Sequence, residues 1–235
     1  MPSTLPGFLP QYAPRHVTGD ETRSRLIAAA TEVFITEGFR AARVQDIARQ
    51  AGVRLSAINY HFGSKEGLYH AVLGHHAKQA LENRPLSPGQ EGLAVRERFY
   101  FAIGALVGRL VDDGQQTSFG QLMLRELMSP TGLLDLLIEH FTLPQARQML
   151  ELLREIVGPR VPDEVLSRCL ISILGQCVVF MPGRPMIERV APEVLSGRDV
   201  HGRIASHVAQ FSWAGLEAVR CAWETQEGSG LDAQD

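Results

Sequence analysis

The stretch from Arg43 to Tyr69 constrains the fold more than any other part of the chain. Val44, Ile47, Ala48 and Ala51 recur at i, i+3, i+4 and i+7, the spacing of one apolar helix face. Gly52 stops that helix, because glycine takes the left-handed C-cap conformation without a Cβ penalty. Ser56 is placed to cap a second helix, in which Ala57, Ile58 and Phe62 supply an apolar face while Asn59, Tyr60 and His61 point the other way. Two short helices joined by a tight glycine turn, the second showing polar side chains, form the sequence pattern of a helix-turn-helix over 43–62. The second helix is roughly 10 Å long at about 1.5 Å per residue, short enough to lie in a duplex major groove about 12 Å wide.

The charges agree with that reading. Between Arg40 and Lys65 stand Arg40, Arg43, Arg49, Arg54 and Lys65 against a single acid, Asp46, a local charge of +4 in a chain whose formal net charge is −3. A basic patch on an otherwise acidic protein suits a polyanion.

Around this motif the signals are helical almost throughout, and no alternating run is long enough to make a strand, so the fold class is all-α. Pro2, Pro6, Pro10 and Pro14 make 1–17 a flexible tail. Thr18 and Glu21 form a capping box ahead of a helix to about Glu37, with Leu26, Ala30, Val33 and Phe34 as its buried stripe and Gly38 at its end. Ser64 can cap the next helix, which reaches about Glu82. Pro85, Pro88 and Gly89 place a domain boundary after it, so 18–82 is the helix-turn-helix domain, 91–224 a C-terminal helical bundle and 225–235 a polar tail. No stretch approaches the roughly 20 apolar residues of a membrane span, and the N-terminus lacks a secretory pattern, so a cytoplasmic protein is expected.

Little in the chain suggests covalent chemistry. Cys169, Cys177 and Cys221 are an odd number without metal-ligand spacing and read as structural thiols. His70, His75 and His76 share a helix but have no carboxylate at metalloprotease spacing, and no nucleophile elbow or phosphate loop is present; neither metal nor cofactor is expected. In the bundle, Phe99, Phe119, Met123 and Phe141 are core residues that can also line a ligand pocket. Glu126, beside Arg125 on an otherwise apolar helix, either pairs with it, faces solvent or orients a ligand. A bundle enzyme and a pure protein-interaction module are the competing readings, and neither accounts for the +4 patch.

Asp46-Ile-Ala, Ala51-Gly-Val, Tyr60-His-Phe and Ser64-Lys-Glu-Gly-Leu-Tyr69, in this order, resemble the DNA-binding signature of the TetR family of bacterial transcriptional regulators. The resemblance runs from about Asp20 to Ala80, and its wording is most similar to the CecR subgroup. Two departures stand out: the Ser or Thr usual before the first motif helix is replaced by Ala42-Arg43, and Asn59 stands where Tyr is common. The resemblance implies a homodimeric regulator, expected to be a repressor, that binds a palindromic operator in double-stranded DNA and is released by a small-molecule effector held in the bundle. It also implies that the last two long helices pair across a two-fold axis. The residues expected at the DNA are Arg43, Arg54, Leu55, Ser56, Ala57, Asn59, Tyr60, His61 and Lys65. Arg54, Ser56 and Asn59 are placed nearest base edges, and Tyr60, His61 and Lys65 on phosphates.

Overall fold

The computed structural model describes residues 19–87, 89, 92–112 and 115–225. Thr18 of the expected capping box, the N-terminal tail and all of the C-terminal tail after Thr225 lie outside these. The helices are α1 (Asp20–Ala41), α2 (Val44–Ala51), α3 (Ser56–Phe62), α4 (Lys65–Asn83), α5 (Val95–Leu110), α6 (Ser118–Met128), α7 (Leu134–Leu137), α8 (Leu143–Val157), α9 (Asp163–Val178), α10 (Arg184–Val190) and α11 (Val200–Thr225). A π-helical turn occupies Ile138–Thr142 and a 3-10 turn Pro192–Leu195. The all-α expectation holds apart from one short hairpin, β1 (Val111–Asp112) with β2 (Gln115–Gln116), antiparallel in the register Val111 to Gln116.

The packing forms two compact units, divided differently from the expected single boundary. Of the described residues, those from 19 to 82 form one unit together with 118–142, and those from 83 to 117 together with 143–225 form the other. The sequence puts 91–224 in one bundle. Instead α6 and α7 bury Leu122 and Leu137 in the core made by α1 to α4.

In the first unit, Leu26, Ala30 and Phe34 of α1 meet Ile47 of α2, Ile58 and Phe62 of α3, and Leu68 and Val72 of α4. Each such side chain, fully removed from water, contributes about 1.5–3 kcal/mol before conformational entropy is counted. Gly38 breaks α1 with φ 80°, a conformation that glycine adopts without strain. There the Arg125 side chain passes close to the bare Cα and its Nη2 donates to Thr36 O at 2.7 Å.

The second unit packs α5, α8, α9 and α11 around Phe99, Ile103, Leu153, Ile173, Cys177 and Val208. Burial pushes the Cys177 thiol up to about 12, which fits an inert structural thiol. On α11 the i, i+4, i+7 row from Ile204 does not stay inside. Ile204 and Val208 are buried, but Phe211 and Gly215 are exposed, and the inner face continues instead through Ala205, Ala209, Ser212 and Leu216.

Candidate nucleic-acid interface

α3 is held from behind. α2 ends as Gly52 turns to φ 64°, with Gly52 N–H donating to Arg49 O and Val53 N–H to Ala48 O, both at 3.0 Å. Arg25 of α1 donates to Gly52 O at 3.3 Å and ties the turn to the supporting helix. Ile58 and Phe62 then anchor α3 in the core, and its opposite side presents Ser56, Asn59 and Tyr60 to solvent. Tyr60 is 58% exposed, a large aromatic surface whose ring meets His61 edge-on at 4.9 Å between centroids. Ser56 does not cap α3 as expected; it is the first helical residue, Leu55 holds the N-cap position without a side-chain bond, and Leu55 is itself exposed. Ala57 is half-buried at the foot of the helix.

The charges around this face are unevenly engaged. Arg49 is paired with Asp46 within α2, which removes one cation and the only acid. Arg43, at the extended N-cap position of α2, and Arg54, in the turn before α3, are exposed and form no ion pair among the described residues. Lys65 opens α4, where its Nζ donates to Arg40 O at 3.2 Å and stands 4.9 Å from the Phe39 ring centroid. That leaves two ammonium hydrogens for an anion. Ser64 caps α4 as expected, its Oγ accepting from Gly67 N–H at 3.1 Å.

His61 does not join this surface. It falls three residues after Ile58, on the inward side of α3, and is buried. Burial, reinforced by the charge of Arg23 and opposed by Asp20, lowers its pKa and favours a neutral ring. A buried neutral imidazole is poorly suited to the phosphate contact expected of it.

The five residues expected to line a ligand pocket are not brought together. Phe99 is in the second unit, fully buried against Trp213 at 5.8 Å between ring centroids. Phe119, Met123, Glu126 and Phe141 belong to the first unit, where the Phe119 and Phe141 centroids are 5.0 Å apart. Glu126 is fully buried with both oxygens in use. Oε2 accepts from Tyr69 OH at 3.0 Å, and Oε1 accepts from Thr131 N–H at 2.7 Å and from its hydroxyl at 2.8 Å. Burial and the Glu126 carboxylate raise the Tyr69 pKa, so the phenol stays a donor. Glu126 therefore neither pairs with Arg125 nor faces a ligand; it fastens α6 to α4 inside the first unit. A cavity of about 360 Å³ lies in the second unit, walled by Leu86, Arg98, Ala102, Met149, Leu152 and Glu155, none of them among the expected pocket residues.

Residues 26–72 match the model of the tetR family of bacterial regulatory proteins, and residues 95–218 match that of the C-terminal domain of the HTH-type transcriptional dual regulator CecR. The second match alone spans more than half of the 235 residues. The chain belongs to the TetR family. It is a DNA-binding transcriptional regulator of the CecR type, as the motif wording implied. It is similar to CecR of Shigella flexneri, 29% identical over 182 residues, which are 73% of this chain and 80% of that protein. It is also similar to the HTH-type transcriptional regulator SrpR of Pseudomonas putida, 31% identical over 115 residues, 49% of this chain and 51% of that one. A crystal structure of a tetR-family regulatory protein from Rhodococcus RHA1 shares the fold, with a TM-score of 0.62 at 18% identity, covering 83% of this chain and 96% of that one. No described helix is long and apolar enough to cross a membrane.

Sequence reading passed over two polar groups of this TetR protein. Tyr69 is signalled only by a hydroxyl on the apolar side of α4, and Arg109 only by a single charge in the stretch of α5 that follows Arg98.

Proposed function

We propose that the protein is a homodimeric repressor that places α3 of each subunit in successive major grooves of a palindromic operator and lets go when an effector occupies the second unit. The observation that carries this reading is the outward face of α3, where Ser56, Asn59 and Tyr60 stand exposed just after the exposed Arg54. Arg54, Ser56 and Asn59 face base edges, with Leu55 and Ala57 against the groove wall, while Arg43, Tyr60 and Lys65 take phosphates. His61 keeps its structural place behind them.

The dimer reading draws on α9 and α11. Ile171 and Gly175 of α9, Val179 just after it, and Phe211, Ala214, Gly215 and Ala218 of α11 are all exposed in one chain. Open space lies beyond Gly175 and Gly215, so a second copy of these helices can approach closely. A two-fold dimer sets the α3 pair near the ~34–36 Å of one DNA turn, and an effector that prefers another spacing shifts the population off the operator.

The test is fluorescence anisotropy of the purified protein on DNA flanking its own gene, at two salt concentrations. Tight binding to one short palindrome that weakens by roughly 10³-fold or more between 50 and 200 mM salt is expected. Lys65→Ala lowers the salt slope by about 0.9. Binding that stays at the non-specific level, on this DNA and on duplexes selected from a random library, defeats the reading.

A further inference from the structure

Arg109, on α5, is the least compensated charge in the second unit. It is 4% exposed. Its Nε donates to Arg84 O at 2.8 Å and its Nη1 to Gln145 Oε1 at 3.1 Å, while Nη2 is buried and has no hydrogen-bond partner among the described residues. Arginine is almost never fully buried unless paired, because a desolvated charge needs a counter-charge. Here no ion pair to Arg109 is present among the described residues. Asp112, the carboxylate at this end of the unit, is taken by Arg84 at 2.9 Å. Burial brings the Arg109 pKa down to about 10, which still leaves a cation at neutral pH.

From this we infer that the second unit holds a binding site for an organic monocarboxylate, with the Arg109 guanidinium as its anion-binding group. This rests on the effector-responsive reading above and names the chemical class of the effector. A planar guanidinium with a free Nη2 edge matches a carboxylate in shape and charge. Among the described residues, Arg84 and Arg109 against Asp112 leave one positive charge, which a monoanion neutralises. The same two helices also provide room for the ligand's body. Gln145 and Met149 lie on successive turns of α8, and Ala102 stands two turns before Arg109 on α5, the direction in which helical side chains lean. Ala102 and Met149, with Leu86 and Leu152, form the apolar wall of the 360 Å³ cavity, a volume within the usual range for small-molecule pockets. The one cation in its lining, Arg98, is paired with Glu155, and Ser87, Gln148 and Glu151 line it as well. Arg109 does not itself line this cavity, so the carboxylate has to pass beyond the lining to reach the Nη2 edge while the apolar body stays against the wall.

The experiment uses benzoate as the probe and benzamide as its neutral isostere, at constant ionic strength, on the full-length protein. Thermal unfolding and the fluorescence of the chain's tryptophans report binding without DNA. Benzoate is expected to titrate saturably and to raise the unfolding midpoint, with benzamide at least about tenfold weaker. Arg109→Met is expected to fold, because an apolar side chain of similar length replaces an uncompensated charge, and to lose the benzoate response. Arg109→Lys keeps the charge without the planar fork; it serves if the methionine variant fails to fold, and retains weakened benzoate binding. Equal responses to benzoate and benzamide, no saturation in the wild type, or an undiminished benzoate response in either variant would overturn the assignment. Operator binding is measured separately, so a protein that binds benzoate but not DNA contradicts the repressor reading alone.

Discussion

The DNA-facing surface of the first unit and the seam between α5 and α8 in the second treat arginine in opposite ways. Arg43 and Arg54 keep their charges in water, where solvation costs nothing and a polyanion can replace the counterions. Arg109 is desolvated and lacks a counter-charge, which is expensive unless something that visits the site supplies one. A third arrangement sits inside the first unit: Glu126 is as buried as Arg109, but its bonds from Tyr69 and Thr131 satisfy it completely. The contrast separates polar groups that hold the fold from polar groups that are waiting for a ligand.

The largest effect that sharpens this contrast is expected at Glu126. Glu126→Ala strands Tyr69 OH and the Thr131 donors in the core and costs about 3–5 kcal/mol, read as a fall in the urea midpoint; Tyr69→Phe, which removes one bond, costs roughly 1.5–3 kcal/mol. An undisturbed midpoint would break the distinction between satisfied and waiting groups.

Next comes pH. His61, His70, His75 and His76 all have pKa values lowered in the folded first unit, first by desolvation, and His76 falls to about 4. The Thr31 hydroxyl donates to Ile27 O, so the His76 Nε2 carries the proton of the 3.0 Å bond to Thr31 and the ring is neutral. The unfolded chain then binds more protons than the native one below about pH 6.5, and stability falls as pH drops from there toward 4. His76 alone accounts for up to about 3 kcal/mol of that loss. Unfolding free energies at pH 7 and 4.5 check this, and His76→Asn should flatten the profile.

A smaller effect is due at the start of α4, where Ser64→Ala removes the cap on Gly67 N–H and costs about 1 kcal/mol. The smallest is due on the surface. Arg54→Ala should move the unfolding free energy by less than about 0.5 kcal/mol while weakening DNA binding well beyond that.

The sequence was most legible where one periodicity decides one face. The spacing of Val44, Ile47, Ala48 and Ala51, and Gly52 after them, gave α2 and its stop, and the stripe Leu26, Ala30, Val33, Phe34 is buried. Legibility failed where a helix has two apolar sides. On α11, Phe211 and Gly215 continue a plausible stripe from Ile204 but lie outside, because the inner face drifts to Ser212 and Leu216. His61 was misplaced for a related reason, since a polar ring three residues after Ile58 follows the helix inward whatever its chemistry. The hairpin at Val111 has only two residues in each strand, too few for an alternating pattern to signal it. No local pattern could say that α6 and α7 pack with α1 to α4, since that depends on a partner distant in sequence.

Tyr60 offers the most direct test, because it is exposed, meets only the edge of the neighbouring His61 ring, and stands at the centre of the proposed reading face. The measurement is operator affinity of Tyr60→Ala against wild type by anisotropy on the same duplex, with thermal unfolding run in parallel. The account predicts an affinity loss of at least about tenfold with an unchanged unfolding midpoint. Wild-type affinity in the folded variant would contradict the placement of α3 against DNA.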